Sequence, residues 1–296
     1  MTGTLLISLD CEGKWGMADD PRMLDSHPIT DDSLRWAYSQ LFSLLEENEL
    51  RATFAVVGLF VAGKESARVH LREAPSIPAC SHWLKIPMKA LESRASDGWF
   101  YEDLPRLVRK SGQHELASHG FSHIPFLSRG FTEGLAHSEL AAMQRLSKER
   151  SWGIQSMVFP RNQVAFTDLL GQYGIERHRA SSDGDGVTYR IKSLLSEFNL
   201  RTQSEPLQSR QTVPAGHFVN WRSGARLVVP SEVTTLRWKR ILQHATITEQ
   251  CAHLWFHPHN LITGKHQTAL VTEIFRMAGD AVRRGHLQSR QFRELG

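Results

Sequence analysis

Short apolar runs that stop abruptly in charged or glycine residues, alternating with stretches of helical apolar spacing, most constrain what this chain can become. Residues 4–9 (TLLISL) form the first run, with the character of a buried strand. Leu34, Tyr38, Leu41, Leu44 and Leu45 then recur at helical spacing, with Asp31 and Asp32 placed to cap them. A second run, ATFAVV at 52–57, is closed by Gly58. Strand, helix and strand with short joints predict parallel pairing through a right-handed crossover. The alternation continues with helix at about 102–111, strand at 114–118, helix at 133–149, strand at 154–159, helix at 164–173, strand at 252–256 and helix at 266–284. This is an α/β pattern, and so many units favour a closed or nearly closed barrel, with an open doubly wound sheet as the alternative. Residues 64–98, with Pro75, Pro78 and Pro87, read as an irregular insertion, and SSDGDG at 181–186 and TQSEPLQSRQ at 202–211 as loops.

A chain of 296 residues can be one such barrel, so residues 1–296 are expected to form a single domain. Hydrophobic residues at 41% and charged residues at 22% are enough for a core and argue against disorder. The formal charge is only +4 and the basic residues are scattered, which excludes the concentrated basic stripe of a nucleic-acid protein. Cys11, Cys80 and Cys251 are odd in number and lack CxxC spacing, so neither a disulfide framework nor a zinc knuckle is expected and a reducing compartment fits. The first residues lack the basic start of a signal peptide, and no apolar run approaches the ~20 residues of a membrane span. The expected location is cytoplasmic; the oligomeric state is left open.

Three predicted strand ends carry unusual polar residues: Asp10 and Glu12, His119 and His123, and His257 and His259. In parallel α/β folds the C-terminal strand ends converge, and sites are built there. Two histidines with one carboxylate can hold a divalent metal and leave positions open. An isolated H-x3-H pair arises easily among fifteen histidines, and Asp10 and Glu12 could be a turn residue and a solvated charge. Their joint placement at strand ends is what points to a metal site.

SLDCEGKWG, ATFAVVG, GQHELASHGFSH, FPRN and LWFHPHN occur in an order that resembles the polysaccharide deacetylase family, also called carbohydrate esterase family 4 or NodB-like deacetylases. The resemblance runs from Leu5 to about Leu261. It implies a distorted (β/α) barrel of about seven strand–helix units and metal-assisted removal of an acetyl group from an acetamido sugar, with a precursor in surface polysaccharide biosynthesis as the expected substrate. By resemblance His119 and His123 are metal ligands, Asp10 is the general base, Arg161 pairs with that base, and His257 is the general acid. His259 is given no role, Pro258 leaving open which of the two imidazoles faces the cleft. The family's second aspartate is replaced by Cys11, so Glu12 is taken as the third ligand, an exchange of roles with Asp10 remaining open. One divalent ion is implied, zinc by default for two imidazoles and a carboxylate. The aromatic and proline that usually follow the arginine are absent, and the fourth motif is placed only loosely, around Asp183 and Asp185 or Arg179. The rival readings are an amidohydrolase of a small non-sugar amide and a catalytically silent carbohydrate-binding relic.

Overall fold

A computed structural model describes residues 2–73, 81–93, 95–181, 194–199, 203–207 and 209–295. Asp183, Asp185 and Cys80 lie outside the described residues. The strands are β1 (Gly3–Cys11), β2 (Thr53–Val56), β3 (Glu115–Ser118), β4 (Ser156–Met157), β5 (Arg177–Arg179), β6 (Thr212–Val213), β7 (His217–Phe218), β8 (Cys251–Phe256) and β9 (Leu287–Arg290). The helices are α1 (Pro21–Ser26), α2 (Asp31–Glu47), α3 (Gly58–Ala62), α4 (Lys64–Glu73), α5 (Ser81–Glu92), α6 (Leu104–Lys110), α7 (Glu133–Glu149), α8 (Ser231–Thr248), α9 (Asn260–Thr263) and α10 (Gln267–Arg283). Hydrogen bonding orders the strands β6-β5-β4-β3-β2-β1-β8-β7, with β9 also beside β1. The fold class is α/β, a distorted (β/α) barrel.

Contacts group the chain into two compact units, and β1, β2 and α2 each contribute residues to both. The first unit comprises residues 1–9, 37–53 and 180–296. In it β1 pairs in parallel with β8, from Thr4 opposite Cys251 to Leu9 opposite Phe256, and with β9, from Gly3 opposite Leu287 to Leu6 opposite Arg290. Every residue of β1 and β8 is buried, as strands covered on both faces require. Ser8 and His253 are paired inside: the imidazole of His253 donates from Nδ1 to the Pro214 carbonyl at 2.7 Å, so its Nε2 accepts from the Ser8 hydroxyl at 2.9 Å. α8 and α10 pack against each other in the same unit.

The second unit comprises residues 10–36 and 54–179. Its strands are parallel, with Ser118 opposite Met157 and Met157 opposite His178. The Val57 amide donates to Cys11 O at 3.2 Å, that of His119 to Val56 O at 2.8 Å and that of Val158 to Ser118 O at 2.8 Å, which brings the C-terminal strand ends of this unit to one edge.

The predicted helix at 133–149 is observed with those limits, capped by Thr132. Three local expectations are corrected. Residues 164–173 form a 3-10 helix (Thr167–Tyr173), because Gly171 and Gly174 weaken an α-helix there. Residues 64–98 hold α4 and α5 rather than an irregular excursion, and Trp83, Pro87 and Leu91 of α5 form a buried stripe at one-turn spacing. The start of α2 is closed by Thr30 and Ser33, each backbone N–H bonding the other's hydroxyl oxygen, while Asp31 instead accepts the Gly98 amide at 2.7 Å.

Candidate metal and catalytic site

The second unit brings Asp10, Glu12, His119 and His123 together, all of them buried. Asp10 is the penultimate residue of β1, and Glu12 follows its end. Gly16 leaves the room that Glu12 needs, since a Cβ there would overlap its carboxylate. Both imidazoles face one oxygen of that carboxylate. His123 Nε2 lies 2.7 Å and His119 Nε2 3.3 Å from Glu12 Oε2, and the two ring nitrogens are 3.2 Å apart. His119 donates from Nδ1 to the Val158 carbonyl at 2.8 Å, which leaves its Nε2 lone pair aimed into the cluster.

Electrostatics split the two rings. Burial is the largest influence on His119 and disfavours its charge, but Asp10 and Glu12 together outweigh it and raise its pKa. Burial lowers that of His123, where the His119 and Arg161 charges add to the effect and Glu12 opposes it. His123 sits in the left-handed region at φ 62°, and its Nδ1 has no hydrogen-bond partner among the described residues. The Trp83 ring lies 5.6 Å from it, and the indole N–H donates to the Ser122 carbonyl at 3.2 Å.

These residues fit a divalent ion. One carboxylate oxygen and two imidazole nitrogens converge in a dry place, and their separations of 2.7, 3.2 and 3.3 Å resemble the edges of a shell with bonds of ~2.0–2.1 Å. Cys11 is buried and is not one of the converging donors.

The expected partner of Asp10 is corrected. Arg179, the last residue of β5, reaches Asp10 with two bonds of 2.9 and 2.7 Å, both groups being buried. Asn162 accepts from the same guanidinium, at 3.1 Å from Nε. Arg161 turns elsewhere, donating to Asp19 at 2.6 Å and placing its guanidinium 4.7 Å over the Trp83 ring. The reason is backbone geometry: Arg161 and Asn162 both have positive φ, 55° and 57°, so the short turn after Phe159 points Arg161 outward and Asn162 toward Arg179. Arg179 was placed only loosely, with the fourth motif and without a role, and Asn162, Trp83 and Glu139 were missed as site residues. Glu139 alone left a signal, a carboxylate on the apolar stripe of a helix beside Ala136, Leu140 and Met143.

His257 and His259 belong to the first unit. His257 follows β8, its ring 5.1 Å from that of His259 and 5.9 Å from Phe218. Its backbone N–H donates to Asn260 Oδ1 at 3.3 Å.

No family model matches the sequence, and no curated protein matches it. Solved structures do. A protein of Mycobacterium smegmatis, whose assignment as a polysaccharide deacetylase is itself provisional, aligns with a TM-score of 0.54 at 15% identity over 98% of this chain and 94% of its own. The fold is that of the polysaccharide deacetylases. Other chains with the deacetylase fold align more loosely. They include a family 4 carbohydrate esterase of Streptomyces lividans (TM-score 0.46, 13% identity, 97% and 91% covered) and a family 4 pseudoenzyme of Bacillus anthracis (0.48, 10%, 99% and 65%).

Proposed function

We propose that this chain is a metal-dependent hydrolase that removes an acetyl group from an acetamido sugar. The observation that carries the reading is the convergence of Glu12, His119 and His123 on one point, with Asp10 acting on His119 electrostatically and held by Arg179. Glu12, His119 and His123 would hold the ion, zinc by preference. Bound there, it supplies Lewis acidity toward water and toward the acetyl carbonyl. Asp10 is the general base, taking the proton of the attacking water on a carboxylate oxygen. Arg179 is its positioning partner, since a bidentate guanidinium fixes both oxygens and matches an ionised carboxylate. His257 is assigned the proton that the departing amine requires. Water oxygen bonds to the acetyl carbon, the C–N bond breaks, and acetate and a free amino sugar result.

The substrate belongs to the acetylated sugars or their activated precursors, and a reducing, cytoplasmic setting goes with cysteines that carry no pairing pattern. Among the described residues no helix is long and apolar enough to cross a membrane. The test is acetate release from N-acetylglucosamine oligomers and nucleotide-linked acetamido sugars by zinc-loaded protein, beside the Asp10→Asn variant. The expected result is release by the parent and near-complete loss in the variant with zinc retained. Release from ureides or linear amides alone would replace the sugar reading with an amidohydrolase, and a parent that takes up no metal would leave a silent relic.

A further inference from the structure

His119 and His123 are joined by Gly120, Phe121 and Ser122, a stretch without regular secondary structure, so its buried backbone groups need outside partners. The carbonyls of Gly120 and Phe121 accept the Gly58 and Leu59 amides at 3.0 and 2.9 Å, where α3 begins. The Gly120 amide donates to the Ser118 hydroxyl at 3.2 Å, and the other donors go to a single side chain. Glu139 Oε2 accepts the Phe121 and Ser122 amides, both at 2.9 Å, and Glu139 Oε1 accepts the Ser122 hydroxyl at 2.6 Å. Glu139 is 8% exposed, so water is a poor replacement for it.

We infer that Glu139 is a positioning residue for the two imidazoles: through these three bonds α7 sets where His119 and His123 stand. The inference rests on reading Glu12, His119 and His123 as a metal-holding set. α7 is a rigid reference, seventeen residues long, capped by Thr132 and anchored by Ala136, Leu140 and Met143. The loop it holds needs fixing at one end, because His123 has a positive φ of 62°, a conformation that a residue with a side chain keeps only when its surroundings over-determine it, whereas Gly120 takes its φ of 74° freely. Glu139 touches neither ring's donor nitrogen in this arrangement. It acts through the backbone between them, by giving two adjacent N–H groups one acceptor and the hydroxyl the other.

The test uses the full chain with zinc against a competing chelator and with cobalt(II), whose visible bands report ligand geometry. Glu139→Ala should bind zinc about 10–100-fold more weakly and shift the cobalt bands. Glu139→Gln should restore parent affinity and bands, since the amide oxygen still accepts both N–H groups and the NH2 can donate to the Ser122 hydroxyl. Ser122→Ala, which removes only the hydroxyl bond, should give a smaller loss in the same direction, and decides the matter should Glu139→Ala fail to fold. A Glu139→Ala protein that is less stable, yet whose folded fraction binds zinc like the parent with parent bands, overturns the role. So does a Ser122→Ala protein with unchanged affinity and bands when Glu139→Ala cannot be purified. Failure of the parent itself to take up zinc or cobalt is a different result, which overturns the metal reading and this inference with it.

Discussion

Arg161 and Arg179 lie eighteen positions apart, and the motif pointed to the wrong one. FPRN marks a strand end, which composition and order make legible, but whether a side chain there points inward depends on two left-handed residues that no apolar period encodes. The correction predicts unequal losses. Arg179→Gln strands a buried carboxylate and should destabilise the fold by about 3–5 kcal/mol, whereas Arg161→Ala, at a half-exposed pair with Asp19, should stay below ~1 kcal/mol. Urea midpoints of the two variants measure this, and equal losses would restore Arg161 to Asp10. Cys11 gives a second residue-scale test. Its side chain is fully buried and stands apart from the converging donors. Cys11→Ala should therefore keep the parent's zinc content, while Cys11→Asp should lose stability by burying an unpaired charge. A zinc-free Cys11→Ala protein would place the site at position 11.

Among the elements, those with strong periodicity were readable: β1, β2, β8, α7 and α10 fall within a residue or two of the expected limits. β4 is shorter than expected and 164–173 became a 3-10 helix, since short runs carry little signal of their own. α5 was hidden by Pro87, although that ring is part of its buried stripe. β7 holds a pH dependence that no motif shows. Burial, helped by the charge of Arg237 and opposed by the bond to the Gln203 carbonyl, pushes the pKa of His217 down to about 4. The unfolded chain takes up that proton near pH ~6.5, so this stability is present above that pH and is lost as pH falls toward the folded value. His217→Gln should flatten the stability difference between pH 7 and 4.5 by about 2 kcal/mol. Chemical denaturation at the two pH values provides the measurement, and parallel profiles for parent and variant would show that His217 does not report the burial seen here.

At the scale of the molecule, metal and fold should be linked. Zinc at 100 times its dissociation constant should add about 2.7 kcal/mol of stability and raise Tm, and the His119→Ala, His123→Ala double variant should show no such rise. An unmoved Tm in the parent would remove the metal from the account. The alternation of strands and helices made the fold class legible, because parallel pairing leaves few topologies. The pairing of β1 was not readable, and it bears on how the protein is made. Residues 4–6 of β1 have β8 on one side and β9 on the other, with Thr4 set against Cys251 and Gln288. On a ribosome adding about 5–20 residues per second, that stretch emerges well ahead of β8 and β9 and waits for roughly ten seconds to a minute before either partner exists. Thr4, Leu5 and Leu6 with open edges are, for that interval, a ready template for another nascent chain. Synthesis arrested before Cys251 should accordingly yield chains that need a holding chaperone, and releasing the completed chain should end that need.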